Sequence, residues 1–276
     1  MNRYYCTINK SNNIQLQHQG YLSTPQLWEG DLVGLTQIKL PESDSDLAEI
    51  NIKQKLRLGH LVERFVSHEL SCHKTIEIVS ENIQIKRDKV TIGEIDCLLK
   101  YNHTPIHLEI IYKFYLYDES VGNSELEHWI GPNRKDSLIE KITKLKTKQL
   151  PLLYKPETEQ YLDKHKLNVN TIQQQVYFKA QLFVPYQMHG MSLRLINNQC
   201  IQGYYLHFNN LEQLNNHQFY IPIKLDWLTE VHDDVTWLDY NEGTKIIKES
   251  IIQERAPLCW VKSENNTLQK IFVVWW

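Results

Sequence analysis

Residues 74 to 117 hold three β-type runs in a row, "KTIEIVSENIQIK", "KVTIGEIDCLLK" and "PIHLEIIYKFYLY", parted only by the polar turns "KRDK" and "YNHTP". Each run is rich in β-branched and aromatic residues, and Ile76, Ile78, Ile83 and Ile85 mark out the first. Connections this short permit only antiparallel neighbours. The middle of the chain is therefore a meander, and the rest of the fold must be arranged around it.

Immediately ahead, "KLRLGHLVERFVSHEL" places Leu58, Leu61, Val62, Phe65, Val66 and Leu70 at helical spacing, which predicts an amphipathic helix with one buried face. Glu63 lies at the edge of that stripe. Behind the meander, "GPNRKDSLIEKITKLKTKQL" predicts a helix capped by Asp136 or Ser137, with Leu138, Ile142, Leu145 and the polar Gln149 on one face. "LPLLYKPETEQYLDKHK" then predicts a second short helix and "QVYFKAQLFVP" a strand. The order is helix, three strands, helix, strand.

The flanks are less regular. Residues 1–22 read as an irregular or short-strand lead-in, followed by a helix that Thr24 caps and Pro25 starts. "LPESDSDLAE" reads as a surface loop. After residue 186, "GYYLHF", "FYIPIKLDWL", a helix at "EGTKIIKESIIQ" and the strands "PLCWVK" and "KIFVVWW" predict an α+β layer. Its tryptophans, Trp227, Trp237, Trp260, Trp275 and Trp276, read as core or edge-covering residues more readily than as base-stacking ones.

The whole chain divides into a 1–50 extension, a 51–185 core and a 186–276 segment packed on the core as one unit. With 30 basic against 33 acidic residues the net charge is −3, so any phosphate contact must come from a local patch. Arg134, Lys135, Lys141 and Lys148, with Gln149, form that patch around the second helix. Cys6, Cys72, Cys97, Cys200 and Cys259 are odd in number and nowhere in CxxC spacing, which argues against a disulfide framework and a zinc knuckle. No signal peptide or membrane-length apolar run is visible, so the expected location is the cytoplasm. Walker A, GxSxG and dinucleotide motifs are absent, and the histidines lack HExxH spacing.

One oddity stands out in the meander. "GEIDCLLK" carries Glu94 and Asp96 on one face of an otherwise apolar strand, with Ile95, Cys97 and Leu99 on the other. If the chain turns between Asn102 and His103, residues whose numbers sum to 205 face each other, and Asp96 falls opposite Glu109. Side chains so placed are about 5 Å apart, a destabilising pairing of like charges unless they share a cation or a proton. An oxygen-only pair suits Mg²⁺, which takes one or two carboxylates, waters and a substrate phosphate. His107 and Lys113 share the face with Glu109 by period-two counting, and solvated acids beside an ordinary lysine would give the same spacing.

Gly93-Glu94-Ile95-Asp96, then His107-Leu108-Glu109 and Lys113, resemble the GxxD and (D/E)xK signature of the PD-(D/E)XK nuclease superfamily. More narrowly, "LGHLVERF", "GEIDCLL", "HLEIIYKFYL" and "WIGPNRKDSLIEKITKLKTKQL" resemble bacterial domain-of-unknown-function family eighteen fifty-three, placed among those nucleases. The resemblance implies an α/β fold: a restriction-endonuclease-like αβββαβ core, a mixed sheet flanked by helices, with N-terminal helical and C-terminal α+β elaborations. It also implies hydrolysis of nucleic-acid phosphodiesters with Mg²⁺, or Mn²⁺ in its place. Asp96 and Glu109 would hold the metal, Glu63 would assist, and Lys113 would be the catalytic lysine.

The lysine departs from the pattern. The motif sets it two residues after the acid, about 6.7 Å along a strand, whereas Lys113 is four residues on, about 13 Å away, and position 111 is Ile111. Either a bulge returns Lys113 to the acids, or Lys141 on the next helix replaces it, or activity is lost. The alternative function is thus a degenerate module that binds nucleic acid or a protein partner. DNA ranks ahead of RNA as substrate, a partner protein or a homodimer is open, and no membrane is involved.

Overall fold

The computed structural model describes residues 10–41, 52, 56–186, 188 and 190–276. The loop expected at "LPESDSDLAE" lies mostly outside the described residues. The chain folds as a mixed α/β protein around one large mixed sheet flanked by helices.

Helix α1 spans Lys10–Ser23 and α2 spans Leu58–Ser71. Three long strands follow, β3 (Ile76–Arg87), β4 (Val90–Tyr101) and β5 (Thr104–Tyr117), after a small β1 (Asp31–Leu32) and β2 (Leu35–Thr36) hairpin. A two-residue β6 (Trp129–Ile130) precedes α3 (Leu138–Lys144). The helical path continues through a π turn, Leu145–Gln149, and a 3₁₀ turn, Leu150–Tyr154, into α4 (Pro156–Lys164). Strands β7 (Gln173–Pro185), β8 (Ile201–His207) and β9 (Gln218–Tyr220), helix α5 (Tyr240–Ile251), and strands β10 (Leu258–Lys262) and β11 (Leu268–Val274) complete it.

The sheet runs β3-β4-β5-β7-β8-β11-β10-β9, with β6 attached to β5. β3, β4 and β5 are antiparallel neighbours, whereas β5, β7, β8 and β11 run parallel. The 101–104 turn is a two-residue hairpin whose central residues, Asn102 and His103, both have positive φ (48° and 69°), so the ladder falls in the expected register. The strands after residue 200 extend the same sheet.

Burial sets the layers. Leu61, Val62, Phe65, Val66 and Leu70 of α2 are buried, as their spacing predicts, against Cys97, Leu99, Leu108, Phe114 and Leu116 of the sheet. On the opposite face Leu138, Ile142 and Leu145 pack on Ile111, Tyr115, Val176, Phe178 and Leu182. β7 lies between the two layers and is buried almost throughout, as a central parallel strand must be.

Two expectations need correction. The helix expected to begin at Pro25 is absent, and α1 instead ends at Ser23. Thr24 donates its hydroxyl back to the Gly20 carbonyl at 2.7 Å, and the following proline cannot continue the helix. Thr24 thus closes the preceding helix. The second correction concerns β4, where Ile95 does not share a face with Cys97 and Leu99. It packs with Leu98, Ile83, Ile85 and Leu152, a separate cluster. Asn82, at φ 53°, falls between the Glu81↔Cys97 and Ile83↔Ile95 pairs, and this irregularity breaks the alternation beside Asp96.

Gly93 is approached closely by the side chain of Leu152, 2.8 Å from where a Cβ on Gly93 would sit. The glycine seats the 3₁₀ turn on β4. The remaining C-terminal expectations hold in outline: α5 and the strands β10 and β11 form, and Ile271, Phe272, Val273 and Val274 are buried. No described helix is long and apolar enough to cross a membrane, and Cys72, Cys97, Cys200 and Cys259 are free thiols.

Candidate functional site

The sheet forks at the residues singled out by the register argument. β4 and β5 pair from Tyr101↔Thr104 to Cys97↔Leu108, and there the ladder between them stops. Beyond it β4 continues with β3 alone, while β5 continues with β7. The Ile110 amide, which would have continued the ladder, donates to Asp96 Oδ2 at 2.9 Å instead. Asp96 therefore closes the fork with its own side chain.

Glu109 is fully buried. Its Oε1 lies 2.9 Å from His107 Nε2, and its Oε2 accepts from the Gln149 side-chain amide. Gln149 in turn accepts from Lys141 Nζ at 2.7 Å through its Oε1. In an uninterrupted α-helix eight residues overshoot two full turns by roughly 80°. The wider π turn at Leu145–Gln149 reduces that offset and lines up Lys141 with Gln149. A local departure from α-geometry thus delivers both side chains to the acids.

The electrostatics follow from burial and proximity. Asp96 is pushed up to about 7, first by burial and then by the charge of Glu109, with a smaller push from Glu63; the Ile110 amide and Lys141 oppose the rise. Lys141 is lowered to about 8, chiefly by burial, against the upward pull of Glu109 and Asp96. An acid raised toward neutrality near an amine lowered toward it puts both groups close to their titration points around neutral pH.

The other expected residues fall in three positions. Glu63 sits at the rim, its side chain 27% exposed and its Oε2 3.2 Å from His60 Nδ1. Lys113 turns to Asp136 at 2.5 Å, and no bulge returns it to the acids; Lys141 is the lysine that joins them. Of the basic patch, Lys135 and Lys148 are exposed, whereas Arg134 is committed to Asp118 at 2.8 Å and to the ring of Trp276 at 4.3 Å. Trp276 also donates from its indole to the Pro132 carbonyl at 3.0 Å, so it covers the loop leading into α3.

That loop, "WIGPNR", runs from Trp129 to Arg134. The Gly131 amide donates to the Asp136 carbonyl at 2.7 Å, and the Arg134 amide donates to the Gly131 carbonyl at 2.8 Å. The loop is closed on itself. A Cβ at Gly131 would lie 2.0 Å from Asp136 Oδ1, so a side chain there would displace the Asp136 carboxylate.

Among the described residues no three or more His, Cys, Asp or Glu side chains are arranged to hold a metal ion. That excludes a preformed zinc-type ligand set among them. It leaves Mg²⁺, whose sphere is mostly water with one or two carboxylates. Asp96 fits such a role, since no hydrogen bond from the described residues reaches its Oδ1 and the pull of Lys141 only partly offsets burial and the charge of Glu109. Each Glu109 oxygen receives one hydrogen bond and keeps a second lone pair.

Sequence reasoning undervalued two residues. Period-two counting puts His107 on the face of Glu109 but assigns it no role there. Gln174 stands beside His107 across the parallel β5–β7 pair, and nothing local signals that long-range register.

No curated protein and no solved structure matches the chain. A family model described as "Domain of unknown function (DUF1853)" matches residues 14–274, nearly the whole length, and the chain belongs to that family.

Proposed function

We propose that the protein is a metal-dependent nuclease of the PD-(D/E)XK type, with Asp96 and Glu109 as the residues that hold Mg²⁺ or Mn²⁺. The observation that carries this reading is the half-buried Asp96 and fully buried Glu109 together at the sheet fork, with Lys141 beside them. The order α2-β3-β4-β5-α3-β7, with β5 and β7 parallel, supports it as a restriction-endonuclease-like core.

When bound, the metal would supply charge to polarise a phosphodiester and lower the pKa of a water. The chain's own groups do the rest. Asp96 and Glu109 would hold the ion, and Lys141 would offer a cation to the charge that develops on the phosphoryl oxygens. Gln149 holds that amine against the pair. Glu63 reaches the pair electrostatically from the rim. The exposed Lys135 and Lys148, with Lys144, would guide a nucleic-acid backbone toward α3, DNA ahead of RNA.

The test is cleavage of plasmid and single-stranded DNA with Mg²⁺ or Mn²⁺, comparing wild type with Asp96→Asn, Glu109→Gln and Lys141→Met. Cleavage in wild type and its loss in all three supports the reading. Equal activity in all four proteins would mark a contaminant and reject it. The degenerate-module reading rests on Ile111 at the usual lysine position and on Lys113 being tied to Asp136. Salt-sensitive DNA binding without cleavage would favour it.

A further inference from the structure

The Glu109 carboxylate is fixed from a direction that the proposed chemistry does not use. His107 is fully buried on β5, and its two ring nitrogens face different partners. Nε2 lies 2.9 Å from Glu109 Oε1, and Nδ1 lies 3.1 Å from Gln174 Nε2. The same Gln174 nitrogen donates to the Leu150 carbonyl at 2.6 Å.

These contacts determine the proton's position. A carbonyl oxygen only accepts, so the atom facing Leu150 must be the amide nitrogen of Gln174. Its second N–H then points at His107 Nδ1, which must be the unprotonated nitrogen of a neutral ring. The proton sits on Nε2 and is donated to Glu109. The amide of Gln174 is consumed by the two bonds, so the tautomer cannot invert without losing one of them. Leu150 directly follows Gln149, the other donor to Glu109. Gln174 therefore anchors both hydrogen bonds that hold the carboxylate, one through the imidazole and one through the turn that carries Gln149.

We propose that His107, locked as its Nε2–H tautomer by Gln174, is a positioning residue that fixes Glu109 for divalent-cation binding. The inference rests on the reading of Asp96 and Glu109 as the metal-holding pair. The imidazole touches neither metal nor phosphate. It removes the rotational freedom of a carboxylate that would otherwise have to be ordered by the ion, and it raises affinity by doing so.

The test measures Mn²⁺ affinity by electron paramagnetic resonance on folded full-length protein, for wild type, His107→Phe, His107→Gln and Gln174→Leu. Loss of a hydrogen bond to a metal ligand typically weakens binding about 10- to 100-fold. His107→Phe is expected to show that loss, and His107→Gln, which keeps an N–H near the Nε2 position, to recover most of it. Gln174→Leu leaves the imidazole in place and is expected to weaken binding less than His107→Phe; it serves as the probe if the phenylalanine variant does not fold. ¹⁵N-histidine spectra of the wild type are expected to show His107 as the neutral Nε2–H tautomer, with that preference lost in Gln174→Leu. Wild-type affinity in both His107→Phe and Gln174→Leu, or an Nδ1–H tautomer in the wild type, would overturn the positioning role alone. Absence of Mn²⁺ binding by the wild type would overturn the metal reading, and the role with it.

Discussion

Replacing Asp96 by asparagine should make the metal-free protein more stable at alkaline pH. The Asp96 carboxyl is raised to about 7 in the fold by burial and by Glu109, against roughly 3.9 in an unfolded chain. A raised acid contributes its stability fully below the unfolded pKa and loses it as pH rises through the folded one. At about 1.36 kcal/mol per unit, a displacement near three units sets a ceiling of about 4 kcal/mol above pH 7. Asparagine keeps the oxygen that accepts from the Ile110 amide, so that bond survives. The pull of Lys141 is already contained in that displaced value, so the expected gain at pH 8 is up to about 4 kcal/mol. At pH 5 the folded carboxyl is mostly protonated while the unfolded one is largely ionised, and the gap should fall to about 1.5 kcal/mol. Urea unfolding with a chelator present, at pH 5 and pH 8, measures both values. A variant no more stable than wild type at pH 8, or a gap that ignores pH, would refute the placement of Asp96 as a carboxylate whose charge burial and Glu109 disfavour more than Lys141 and the Ile110 amide favour it.

Further consequences can be measured separately. Lys141→Met should reduce cleavage at least about 100-fold, a loss of about 2.7 kcal/mol in transition-state stabilisation, whereas Lys113→Met should have less effect because Lys113 is paired with Asp136. In metal-free protein, NMR titration of reductively methylated lysines should find Lys141 titrating near 8, below the usual lysine range; a normal lysine midpoint would contradict its burial beside the acids. Gly93→Val drives a side chain into Leu152 and should cost about 1–3 kcal/mol in chemical denaturation. Trp276→Ala removes the ring over Arg134 and the indole bond to Pro132, for about 1–2 kcal/mol in the same assay.

What the sequence reveals here depends on whether the cause is local. The stripe of α2 and the meander were legible because hydrophobic spacing and two tight turns determine them, and the Asn102–His103 turn alone carried the register to Asp96 and Glu109. Thr24-Pro25 misled because the same pair can open a helix or close one; the hydroxyl's bond to Gly20 decides it, and that bond needs the helix already formed. The break in β4 alternation arises in its partner strand at Asn82, outside the run being read. Lys141 was visible as an alternative lysine, but the π turn that aligns it with Gln149 has no signature in the spacing. Gln174 was invisible for a related reason, since the parallel β5–β7 register joins residues 67 positions apart in the chain.

A divalent cation held at the sheet fork is what the proposed function requires of Asp96 and Glu109. The most direct measurement is anomalous diffraction from a crystal of this protein soaked in Mn²⁺. A peak within coordination distance of carboxylate oxygens from both Asp96 and Glu109, lost in the Asp96→Asn crystal, is the predicted result. A map with no peak at that pair, or with Lys141 Nζ seated between the two carboxylates where the ion should be, would contradict it.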